Sequence, residues 1–94
     1  MSTYFMFGKY SSESLKGVSE KRTTRVLSTI KKMGGQVKDV YALLGSSDVV
    51  LIVDFPGVKE AMKASFILSQ LTSIAFTTSP AIKVEEFDVL ATTL

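Results

Sequence analysis

The sequence predicts an α+β fold with the element order β-α-β-β-α-β. Three observations predict it. Four runs rich in β-branched and aromatic residues, at Thr3–Tyr10, Val37–Leu44, Asp48–Phe55 and Ile74–Ala81, read as strands. Two intervening stretches carry apolar residues at helical spacing. Glycine, serine and proline mark the joins, at Ser11-Ser12, Gly34-Gly35, Gly45-Ser46-Ser47 and Pro56-Gly57. Chained in that order, the elements predict the ferredoxin-like split βαβ plait, a four-stranded antiparallel sheet with two helices on one face.

The first strand is dense in aromatics. Alternation sends Tyr4 and Met6 to one face and Phe5 and Phe7 to the other, and Gly8 is expected to loosen its end. Ser11-Ser12-Glu13-Ser14 is a helix start, with serines suited to capping the first amides. Leu15, Val18, Val26, Ile30 and Met33 then recur near helical spacing, with Arg22 on the same stripe. Ser19 can cap a second start, so a bend is expected between Gly17 and Glu20. Gly34-Gly35 suits the left-handed turn that ends a helix.

In the second strand, Val37, Tyr41 and Leu43 are expected to share a face with Asp39. The third is aliphatic at every position from Val49 to Val53. The second helix should run from Val58 to Leu71, with Ala61, Met62, Ser65, Phe66 and Leu68 turned inward. Pro80 near the end of the fourth strand suits an edge. The whole of 1–94 is expected to be one domain, with 83–94 an extension forming a short helix.

The composition narrows the chemistry. The chain is 46% hydrophobic and 21% charged, too apolar for disorder. With neither cysteine nor histidine it has no disulfides, no thiolate, no Ser-His or Cys-His nucleophile and few ways to hold zinc. No metal or cofactor is expected. The N-terminal stretch lacks the marks of a signal peptide and no apolar run is long enough to span a membrane, so a cytoplasmic location is expected. The net charge of +2 is too small to argue for nucleic acid, and the lysines and arginines of the first helix look like a solvated face.

The apolar third strand carries the assembly argument. A strand apolar on both faces belongs to a sheet covered on both sides. Two helices cover one side only. A second copy, stacked sheet to sheet as a dimeric α+β barrel, would cover the other, and dimers of dimers or higher assemblies are compatible with this. The competing arrangement folds the C-terminal segment back over the sheet.

At "LLGSSDVVLIVDFP" the chain resembles the GYD-domain proteins, small stand-alone proteins named for a Gly-x-Tyr-Asp motif between their second and third strands. The resemblance extends to "GKY" at the end of the first strand, "SEKR" in the first helix, "GGQV" before the second strand and "VEEF" after the fourth. Ser47 stands where the family has its tyrosine, and "LTSIAF" lacks the family's glycine before the last strand. A related motif occurs in the ligand-sensing domains of Lrp/AsnC-type regulators. The resemblance implies a ferredoxin-like fold and assembly through the sheet. It implies no particular reaction.

The candidate ligand-binding residues are Asp48, Tyr10, Tyr41, Arg22 and Lys9, around the turn Gly45-Ser46-Ser47-Asp48. A carboxylate at a sheet mouth can hold an amine or move a proton, although turn chemistry alone also accounts for it. An inward arginine needs an acidic partner or an anionic ligand, unless its stem simply lies over the core. Tyrosine hydroxyls can orient a ligand, although packing is the more common role of aromatics in strands. No residue is assigned a catalytic role. The expected function is a small-ligand-binding or protein-interaction module acting as a homo-oligomer. The alternative is a small cofactor-independent enzyme using the same interface pocket.

Overall fold

The computed structural model describes residues 1–93. Its elements are β1 (Ser2–Lys9), α1 (Ser12–Lys16), α2 (Glu20–Lys32), β2 (Gln36–Ala42), β3 (Val49–Phe55), α3 (Val58–Thr72), β4 (Ala75–Ala81) and α4 (Val84–Thr92). The strands form one antiparallel sheet in the order β2-β3-β1-β4. This is the expected plait, with the first helix split in two.

The split follows from the caps. The Ser11 side chain accepts the Ser14 amide, and the Ser14 hydroxyl answers the Ser11 amide, which closes a capping box on α1. Ser19 is extended and its hydroxyl accepts the Arg22 amide, which starts α2. Lys31 and Lys32 sit in the last turn of α2, where cations suit the dipole, and Gly34 follows at φ 83°. α3 ends at Ser73, which holds the left-handed φ of 60° where the family pattern has a glycine nearby.

The core lies between the sheet and the helices α2 and α3. Tyr4 and Met6 from β1 meet Leu51, Val53 and Phe55 from β3, under Val26 and Ile30 of α2 and Ala61, Ala64 and Leu68 of α3. The Tyr4 and Phe55 rings pack at 5.9 Å with a 60° tilt. Gly8 does not loosen β1. It remains within the strand, where a Cβ would come 2.6 Å from Val49 and 2.9 Å from Ile74, so only glycine admits this close packing.

Two side-chain orientations differ from the sequence reading. A β-bulge between Val37 and Asp39 inserts an extra residue, so Val37 pairs with Val53 on the helix-covered face while Asp39 and Tyr41 lie on the other. The inner face of α3 is narrower than expected. Ala61, Ala64, Leu68 and Thr72 are buried, but Met62 and Phe66 are 68% and 67% exposed. Small alanines let the helix lie close to the sheet, which turns the larger side chains outward.

The second face of the sheet carries Thr3, Phe5 and Phe7 opposite Asp54, Ile52 and Val50. Neither helix pair covers it. α4 does not cover it either, since every described residue of α4 is exposed.

Candidate functional site

Three of the five sequence candidates meet at one corner, where β1 ends. The Asp48 carboxylate accepts the Tyr10 backbone N–H at 2.8 Å, and the Asp48 N–H donates to the Gly8 carbonyl at 2.8 Å. The Asp48 carbonyl accepts the Leu43 N–H at 2.9 Å, closing the loop between β2 and β3. Asp48 therefore staples that loop to the end of β1.

The Arg22 guanidinium lies 5.6 Å from the centre of the Tyr10 ring, a cation–π distance. It also donates to the Ser14 carbonyl in the last turn of α1. That explains an arginine on the inward stripe of α2 without an acidic partner. It clamps α1 against Tyr10, and Gly17 leaves room for it, because a Cβ there would lie 2.9 Å from Nη1.

The turn itself is a six-residue loop, longer than a tight hairpin turn. Gly45 adopts φ 119°, Leu44 projects fully into solvent, and Ser46 is exposed. Of the polar turn residues, Asp48 supplies the side-chain-to-backbone bond. Tyr41 and Lys9 lie apart from the corner. Tyr41 is 54% exposed on the uncovered face, opposite Val50, and Lys9 is exposed at the end of β1, paired with Ala75. Tyr4 belongs to the core.

The uncovered face is apolar at its centre and polar at one end. The Phe5 and Phe7 rings lie 6.1 Å apart, beside Val50 and Ile52 of β3. At the end, the Thr3 hydroxyl donates to the Asp54 carboxylate at 2.6 Å, and Lys38 approaches the other oxygen at 3.3 Å. The Thr3 hydrogen bond, with Lys38 in support, holds the Asp54 carboxyl below its ordinary value against the opposing effect of burial.

Beside this group a cleft of about 500 Å³ opens between the uncovered face and the first turn of α4. Phe5, Ile52 and Ala81 give it apolar walls, with Ile82, Lys83 and Glu86 on the α4 side. Asp54 interrupts an aliphatic strand, and that was the one signal in the sequence for this end of the face. Among the described residues, no cluster of three or more acidic side chains could hold a metal ion, and no helix is long and apolar enough to cross a membrane.

A family model described as GYD domain matches residues 4–91. No curated protein matches the chain. Among solved structures, the leucine response regulatory protein LrpA of Mycobacterium tuberculosis is similar with a TM-score of 0.64 at 10% identity. The match covers 87% of this chain and 51% of that one, so the chain spans about half the length of the regulator, and the likeness is one of fold.

Proposed function

The chain belongs to the GYD domain family, and we propose that it is a small-ligand-binding module that works as a homodimer joined through the uncovered face of its sheet. The observation that carries this reading is the apolar centre of that face, where Phe5, Phe7 and Ile52 stay part-exposed around a buried Val50 and no described residue of α4 is buried against them. Full burial of a phenylalanine or isoleucine side chain is worth about 1.5–3 kcal/mol. A second copy of the sheet offers complementary apolar area, with the exposed Asp39 beside Ile52 the charge that such a contact has to leave at its margin or pair. Stacking two copies gives the dimeric α+β barrel, and it roofs the cleft beside Phe5 and Ile52.

In this reading the roofed cleft is the ligand site. Its apolar walls take the body of a small molecule, and Lys83, Glu86 and the Thr3–Asp54–Lys38 group supply the polar contacts that orient it. Tyr41 and Lys9 border the same interface. Asp48, Tyr10 and Arg22 hold the corner that fixes the end of β1. The similar fold of a regulator named for its response to leucine supports a small metabolite as the ligand, by analogy of fold alone.

Native mass spectrometry of the protein purified from its own host tests this. The expected result is an even-numbered assembly carrying a small non-covalent mass that is lost in Ile52→Lys. Assemblies that carry no such mass, and that take up none of a panel of small metabolites, would overturn the ligand reading.

A further inference from the structure

We propose that α4 is a docking arm whose apolar stripe seats in the groove between α3 and β4 of a second copy of this chain. At 100° per residue, Val84, Phe87, Leu90 and Ala91 fall within one sector of α4 about 120° wide. Val84, Phe87 and Leu90 are 69%, 59% and 55% exposed. The arm is not turned toward its own sheet, because Glu86, off this stripe, is the α4 residue that lines the cleft there. An amphipathic helix with its apolar side in water needs a partner.

A matching recess lies on the opposite side of the sheet. Between α3 and β4 a groove of about 510 Å³ is lined by Tyr4, Ala61, Met62, Phe66, Phe76 and Pro80. Met62 and Phe66 stand exposed on its wall, and the part-buried Ser65–Thr78 hydrogen bond ties its two sides together. A groove with apolar walls of this kind receives an amphipathic helix through apolar residues one and two turns apart.

The charges choose a second copy as the occupant. Asp88 and Glu86 flank the α4 stripe on either side, with Glu85 beyond. On α3 the flank next to Phe66 carries Lys59 and Lys63, with Glu60 on the far side of the helix. The one ion pair among the described residues joins Lys38 to Asp54, so these acids and lysines are free to meet across copies. Reciprocal exchange of two arms also satisfies the rule of a two-fold interface, in which each copy offers both halves. This contact uses the helix side of the sheet and is separate from the sheet-to-sheet contact proposed above.

The chain has no cysteine, which allows a direct test. Phe87→Cys and Phe66→Cys are made as separate full-length variants and mixed under mild oxidation. Both positions are exposed, so neither change disturbs the core. The expected result is a disulfide-linked species of twice the chain mass in the mixture, formed faster than in either variant alone. It should be lost when Lys59 and Lys63 of the Phe66→Cys variant are changed to Glu. If Phe87→Cys links no faster to Phe66→Cys than to Thr24→Cys on the exposed face of α2, the proposal is overturned. Ile52→Lys separates the two surfaces. Loss of the 87–66 link with an unchanged response to Ile52→Lys would remove the arm and keep the sheet contact, and the reverse would remove the sheet contact and keep the arm.

Discussion

The Asp48 carboxylate and the Tyr10 backbone N–H are joined by a 2.8 Å hydrogen bond that crosses from the β2–β3 loop to the end of β1. The residue that the sequence marks most strongly for chemistry is thus held in a structural bond. Asp48→Ala should cost about 1–3 kcal/mol, the penalty for leaving a part-buried amide without its acceptor. Asp48→Asn keeps an acceptor oxygen and should cost less than Asp48→Ala. Urea unfolding of the two variants measures the difference. Equal losses would mean that the charge, and not the acceptor, is what the corner requires.

The Thr3–Asp54 bond predicts an acid-sensitive sheet. The folded-state pKa of Asp54 is lowered, so its contribution to stability is present above the unfolded-state value and is lost as pH falls through the lowered folded value. Wild type should therefore lose more stability than Asp54→Asn between neutral pH and the region below the ordinary aspartate value of 3.8. Thr3→Val removes the largest cause and should move the wild-type curve toward that of Asp54→Asn. Denaturant midpoints read across this range decide it, and parallel curves for all three proteins would refute the linkage.

Ser73 at φ 60° occupies a backbone region that costs an L-residue about 1–2 kcal/mol. Glycine relieves that strain but loses more chain entropy on folding. Ser73→Gly should be net stabilising, by about 0.5–1 kcal/mol. A rise in melting temperature confirms it. A fall would show that the Ser73 carbonyl, which accepts from Ser11 Oγ at 3.2 Å, depends on the serine backbone geometry.

The plait was legible because each strand carried its own evidence. Val49 to Val53 is aliphatic at every position, and Ser11 and Ser19 both serve as the caps their positions suggest. The bend between α1 and α2 was legible for the same reason. The uncovered face could be read from Phe5 and Phe7, because alternation in a regular strand is rigid. β2 defeated the same logic, since one extra residue at the bulge moved Val37 away from Tyr41. Met62 and Phe66 were misplaced because an apolar residue beside an inward stripe can face either way, and the close approach permitted by Ala61 and Ala64 decided it. The candidate site was only partly legible. Asp48, Tyr10 and Arg22 do come together, but through backbone bonds and a ring contact that no spacing reveals. Lys38 meets Asp54 across two strands, a register that no spacing reveals.

Ile52 sits at the centre of the uncovered face, between Phe5 on β1 and Asp39 on β2. Its side chain is not part of the core on the helix side, so Ile52→Lys should remove the partner surface and leave the fold in place. The most direct measurement is sedimentation equilibrium of wild type and Ile52→Lys at micromolar concentration, with circular dichroism to verify folding. The prediction is an even multiple of the 10.2 kDa chain mass for wild type and a lower mass for folded Ile52→Lys. A wild-type protein that sediments as a monomer, or a folded variant of unchanged mass, would contradict assembly through the sheet.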